Sequence, residues 1–262
     1  MTHGLLAGKR LLVTGVVTSD SIAYATAVAA IGAGAHITLS SLGRDLERTH
    51  AAASTLPSEV EVVEADLTVP DHIEKLTEAL RRRWGGLDGA LHAVAFAPRE
   101  ALSGSFLEAG IDPIARAFHT SVHTYASLAG LLQELAPPHG ASLVGLDFDG
   151  SRAWPVYNWM GVCKSALEAT NRYLARDLGR MGIRANLIAA GPLHTRAAGA
   201  IGGFDRLTGA WEQQSPMRWN PGDATPVADA ATFLFSDLAR MITGEILHVD
   251  GGFHAMAGDL AR

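Results

Sequence analysis

Arg10-Leu11-Leu12-Val13-Thr14-Gly15-Val16-Val17-Thr18-Ser19-Asp20-Ser21-Ile22-Ala23 is the stretch on which the fold turns. A short apolar run, Arg10 to Thr14, ends at a glycine, and a helical pattern begins near Ile22. The Ala-rich segment from Ala23 to Ala35 then reads as a buried helix rather than a membrane span. Gly15 permits a tight turn, and the helix start offers free amides and a positive dipole end to an anion. An ordinary G-x-G-x-x-G spacing is absent, because Ser21 and Ala23 stand where further glycines are expected. On its own the turn is therefore as compatible with a structural strand-to-helix connection as with a phosphate site.

The same alternation continues outward. Strand candidates follow at His36 to Ser40, Val60 to Ala65, Ala90 to Phe96, Ser142 to Phe148, Arg184 to Ala189 and Ile246 to Val249. Helical stretches separate them at Asp71 to Trp84 and near 112–135 and 157–181. Thr225-Pro226 reads as an N-cap followed by proline at the first helical position, and Gly182 as a stop just past a C-terminus. Alternation of this kind predicts right-handed crossovers and a single-domain α/β fold, 1–262, with a Rossmann-like doubly wound parallel sheet of about seven strands. Helices should cover both faces. The irregular stretch 193–220 reads as a mobile substrate-binding lid, with a surface excursion as the alternative.

Composition narrows the function. Of 262 residues, 48% are apolar and 18% charged, which suits a packed core rather than disorder. The net charge of −6 and the lack of a basic block argue against nucleic-acid binding. No apolar run reaches the ~20 residues of a bilayer span, and the first residues lack a signal-peptide pattern. One cysteine, Cys163, suits a reducing cytoplasm. Eleven histidines are scattered without a zinc spacing, so no metal is expected.

Ligands of a doubly wound sheet sit beyond the carboxyl ends of its strands. After the second strand comes Ser41-Leu42-Gly43-Arg44, with no acid before Asp45 to hold an adenosine ribose. Leu42 could pack on adenine and Arg44 could favour a 2′-phosphate, so NADH and NADPH both stay open. Asp66-Leu67 ends the third strand, where Asp66 could accept from adenine or merely cap a helix. Tyr157 and Lys164, seven residues apart, fall on one helix face just after the fifth strand. A lysine there can hold ribose hydroxyls and support charge on the tyrosine's side of the site. An isolated pair of this spacing would otherwise be a solvated helix face.

The chain resembles the enoyl-acyl-carrier-protein reductase family, a branch of the short-chain dehydrogenases. Gly15 to Ala23, His92 to Pro98, Asp147 to Lys164 around YNWMGVCK, Ala190 to Thr195 and the region 243–252 carry the resemblance, which spans essentially the whole chain. Tyr157 to Lys164 is its most specific element, since ketone-reducing relatives place the lysine four after the tyrosine; here position 161 is glycine and position 144 valine. Phe148 and YNWM look closest to the mycobacterial and actinobacterial NADH-dependent members.

The resemblance implies hydride transfer to the β-carbon of a trans-2-enoyl thioester of acyl carrier protein or CoA, in fatty-acid or related biosynthesis. Tyr157 would stabilise the enolate, Lys164 would hold the nicotinamide ribose, Phe148 would help place the substrate, and Met160 would line the acyl pocket or simply pack. Cofactor contacts carried over are Gly15, Ser21, Ile22, Leu42, Asp66, Leu67, Ala95, Leu146, Asp147, Lys164, Gly191, Pro192, Leu193 and Thr195. Relatives are usually homotetramers. Two departures stand out: Ala93 where relatives commonly have serine, and His194 where they often carry arginine. The 193–220 segment is also shorter than in members acting on very long acyl chains, which implies ordinary or short substrates. Carbonyl reduction on the same fold, or a non-catalytic dinucleotide-binding paralogue, are the competing readings.

Overall fold

A computed structural model describes residues 4–257. Its strands are β1 (Arg10–Thr14), β2 (His36–Ser41), β3 (Glu61–Glu64), β4 (Gly89–His92), β5 (Ala141–Asp147), β6 (Ile183–Ala190) and β7 (Ile246–Val249). They form one seven-stranded sheet in the order β3-β2-β1-β4-β5-β6-β7. Every neighbouring pair is parallel. The α-helices are α1 (Ile22–Gly32), α2 (Leu46–Ala53), α3 (Pro70–Trp84), α4 (Arg99–Leu102), α5 (Ile111–Phe118), α6 (Thr124–Leu135), α7 (Asn158–Leu178), α8 (Phe204–Gln214) and α9 (Thr225–Phe235).

The central strands are apolar along their whole length because both faces are covered. Leu11, Leu12 and Val13 of β1 are fully buried, as are Leu143 and Val144 of β5. On one face α1 packs on α9; on the other α3 packs on α6 and α6 on α7. Helix α1 is apolar all round, with Ala23, Ala27 and Ala30 against its neighbours, and small side chains let α9 come close. Strand order reverses between β1 and β4, so their carboxyl ends open a crevice there.

Several expectations are corrected. The β6–α9–β7 crossover steps in the same direction across the sheet as β5–α7–β6 but over the opposite face. The two therefore differ in hand, and not every connection is right-handed. Strand β4 stops at His92, and Ala93 to Phe96 form a loop. That segment leaves the sheet beside Gly15, whose backbone it abuts. The run near 112–135 is broken by a π-helical turn at His119–His123 between α5 and α6. Thr225 is the first residue of α9 rather than its cap; the Asp223 carboxylate accepts from the Thr225 amide at 2.9 Å instead. Within 193–220, α8 supplies regular structure where the sequence offered only glycines.

Candidate active site

Gly15 is fixed at the crevice by geometry. Its φ is +84°, and a Cβ there would lie 2.1 Å from the Ala93 carbonyl oxygen. No other residue fits, so the chain brings bare backbone to the floor of the crevice. Ser21 caps α1, its Oγ accepting from the Tyr24 amide at 3.1 Å, and the amides at the helix start face the same opening. No acid stands in the first turn of α1 to repel an anion.

A cleft of about 710 Å³ runs from here along the strand ends. Gly15, Ser21, Ile22, Ala95, Leu146, Asp147, Lys164, Gly191, Pro192, Leu193 and Thr195 line it together with Phe148, Tyr157 and Met160. Leu42, Asp66 and Leu67 do not. Asp66 Oδ1 accepts from the amide and hydroxyl of Thr68, at 2.9 and 2.6 Å, which closes a turn after β3. Leu67 is in the core. Sequence reasoning missed Asp45, Arg48 and Arg196, which do border the cleft. The rule that ligands sit at strand ends points to the first residue or two after a strand. Arg48, one turn into α2, and Arg196, well past β6, lie beyond its reach.

Tyr157 stands at the N-cap of α7 and Lys164 two turns further on, so both side chains enter the cleft as the seven-residue spacing implies. Both are buried. Burial pushes the Tyr157 phenol well up, so it remains a neutral hydrogen-bond donor. Burial also lowers Lys164, although the nearby Asp147 charge opposes this. The Lys164 ammonium donates to the Leu146 carbonyl at 2.9 Å. Asp147 is buried, and neither carboxylate oxygen has a hydrogen-bond partner; burial raises it to about 7. An orphaned buried acid in a cleft marks a place where a bound molecule's donors belong.

Aromatic rings close one end. Phe148 contacts Tyr157, Trp154 and Trp211 at ring separations of 5.1, 5.2 and 5.5 Å, and Trp211 stacks on Phe253 at 3.8 Å. The Trp219 indole donates to the Pro192 carbonyl at 2.8 Å. A Cβ at Gly191 would come within 2.7 Å of the Trp219 ring, so this glycine lets the 193–220 segment close on the sheet. Cys163 is raised to about 11 by burial and offers no ready thiolate. His92, buried and pushed down to about 3 by desolvation, stays neutral. Among the described residues no cluster of histidine, cysteine or acidic side chains could hold a metal ion, and no helix is long and apolar enough to cross a membrane.

These features suit a dinucleotide: a glycine floor, a helix N-terminus, a buried lysine and an unsatisfied acid along one cleft. Comparison with known proteins agrees. A family model described as enoyl-(acyl carrier protein) reductase matches residues 15–254. The enoyl-[acyl-carrier-protein] reductase [NADH] of Mycolicibacterium smegmatis is 38% identical, over 95% of this chain and 97% of its own. The Mycobacterium avium protein of the same name is 39% identical over 95% and 97%. A Neisseria meningitidis relative, also named as an NADH-dependent enoyl-acyl-carrier-protein reductase, is 40% identical over 95% and 96%. The chain belongs to the enoyl-acyl-carrier-protein reductase family.

Proposed function

We propose that this chain reduces the 2,3-double bond of a trans-2-enoyl thioester, carried on acyl carrier protein or CoA, with NADH as the reductant. When bound, the nicotinamide supplies a hydride for the β-carbon. Charge then develops on the thioester oxygen, and the resulting enolate takes a proton from solvent at its α-carbon to give the saturated thioester. The neutral Tyr157 hydroxyl donates to that oxygen, an oxyanion-type role made stronger by burial. Lys164 holds the nicotinamide ribose hydroxyls, and its positive charge favours enolate formation nearby. The Phe148 ring, braced by Trp154 and Trp211, sets the acyl group against the reductant, with Met160 as a further wall. Gly15, Ser21 and Ile22 receive the phosphates, and Ala95, Leu146, Asp147 and Gly191 through Thr195 complete the cofactor contacts. Leu42, Asp66 and Leu67 are left out of this assignment.

The observation that carries the reading is the entry of Tyr157, Lys164 and Phe148 into the same cleft that Gly15 floors. The chain acts as one reductase unit, 1–262, with 193–220 as its substrate-binding loop. Exposed Phe118 on α5 and Val162 and Tyr173 on α7 supply apolar contacts for a two-fold symmetric homotetramer. A cytoplasmic location accords with the single unpaired cysteine. The test is NADH oxidation by the purified chain with crotonyl and longer enoyl thioesters, beside 3-oxoacyl thioesters. Turnover of the enoyl series alone is expected; turnover of the 3-oxo series alone would replace the reading with carbonyl reduction.

A further inference from the structure

The loop that links Phe148 to Tyr157 is fastened to α7 at one peptide unit. The Gly150 amide donates to Glu168 Oε1 at 2.7 Å, and the Gly150 carbonyl accepts from the Ser165 hydroxyl at 2.6 Å. Both partners stand on α7, Ser165 directly after Lys164 and Glu168 one turn beyond it. A Cβ at position 150 would lie 2.7 Å from the Ser165 nitrogen and 2.8 Å from Glu168 Oε1, so glycine lets the loop's backbone rest directly on the helix. Ser165 and Glu168 do not border the cleft that Tyr157 and Lys164 enter.

From this fastening the loop reaches the site in both directions. The Asp149 carbonyl accepts from the Trp154 indole at 2.6 Å, and Asp149 Oδ1 accepts from the Ser151 amide at 2.9 Å, so 149–154 closes on itself. Trp154 then packs on Phe148 and Trp211. Phe148 is held a second time, by its place at the end of β5 and by Trp211. Tyr157 takes its position from the far end of the loop, between Val156 at φ +63° and Asn158 at φ +46°. Backbone of that kind persists only where its surroundings over-determine it. The bonds at Gly150 are such a constraint.

We propose that Glu168 is a positioning residue for enoyl reduction: by holding the Gly150 peptide against α7, it fixes the loop that delivers the Tyr157 hydroxyl to the thioester oxygen. This rests on the reading of the site as an enoyl-thioester reductase. A misplaced donor costs most in the transition state, where charge on that oxygen is greatest, so the effect falls on kcat rather than on dinucleotide binding. The Glu168 charge is a minor influence on Lys164, well behind burial, and the role requires the hydrogen bond rather than the charge.

Steady-state kinetics of the full chain with a crotonyl thioester, expressed per dinucleotide-binding site, test this. Counting sites by bound dinucleotide removes any loss that comes from unfolded chain. Glu168→Ala is expected to lower kcat about tenfold while changing the NADH dissociation constant less than about twofold. Glu168→Gln keeps an acceptor for the Gly150 amide and should recover kcat to within about threefold of the wild type. On a Tyr157→Phe background, Glu168→Ala should cost less than about twofold, because the hydroxyl through which it acts is gone. Unchanged kcat per site in Glu168→Ala, a Gln variant as slow as the Ala variant, or an undiminished cost on the Phe background each overturns the proposal and leaves the reductase reading intact. A wild type that turns over no enoyl thioester removes that reading, and this role with it.

Discussion

Lys164 Nζ lies 3.8 Å from the Asp147 carboxylate yet gives its hydrogen bond to the Leu146 carbonyl. The acid keeps its charge partner near but its oxygens unbonded. Burial therefore dominates and raises Asp147 to about 7, with the Lys164 charge pulling the other way. An unfolded aspartate titrates near 3.8, so between that value and about 7 the folded chain holds a proton that the unfolded chain has lost. Stability from this group is greatest at low pH, falls as pH rises through that window, and levels off above about 7.

Asp147→Asn removes the titration. The lysine, deprived of its nearby anion, drops further from 10.5, which makes the variant gain stability with rising pH. Both effects have one sign: the difference in Tm, variant minus wild type, should grow more positive between pH 5.5 and pH 8. A thermal-shift series checks it. A difference that stays flat across the range would mean that Asp147 is ionised in the fold throughout.

Tyr157→Phe tests the phenol directly. The ring stays in place against Phe148, so packing and cofactor binding should be nearly intact. Loss of a single oxyanion donor typically costs about 10²–10³ in turnover. Steady-state kcat beside a dinucleotide Kd is the measurement, and unchanged kcat would take Tyr157 out of the mechanism.

The sheet was readable in the sequence because its strands are buried on both faces and therefore stand out as short apolar runs. The same property misled at β4: Ala93 to Phe96 are apolar because they border the cleft, not because they belong to the sheet. Gly15, Tyr157 and Lys164 were legible because spacing along a strand end or helix translates directly into position. Asp66 was ambiguous, since a turn-forming aspartate and a ligand-binding one look alike in sequence, and its bonds to Thr68 become visible only in the fold. Arg196 and Asp45 meet across 151 positions of chain, and no local pattern announces such a contact.

Val156, just before Tyr157, has φ +63°, a conformation that a β-branched residue adopts only under constraint, and Asn158 on the other side has φ +46°. Strain here fixes where the Tyr157 ring enters the cleft. Val156→Gly and Val156→Ala remove the same contacts, but only glycine relaxes the backbone. Denaturant unfolding should find the Gly variant more stable than the Ala variant by about 1 kcal/mol. Turnover should rank the opposite way, because a freer segment holds the phenol less firmly. Equal stabilities would show that the backbone at this position is unstrained.

The aromatic end of the cleft is expected to limit acyl length. Trp211, only 2% exposed, is stacked on Phe253 and leans on Phe148, so an acyl chain cannot extend past Phe148 on that side. The remaining path runs beside Met160, Ile201 and Leu207, within the cleft that also takes the dinucleotide. Crotonyl and octenoyl thioesters should accordingly show higher kcat/KM than hexadecenoyl thioesters, and a wild-type preference for hexadecenoyl would refute the argument. Trp211→Ala should move the optimum to longer chains by opening that wall. It should also cost about 3–5 kcal/mol of stability, as buried tryptophan truncations do, so the length series must be run well below the variant's Tm.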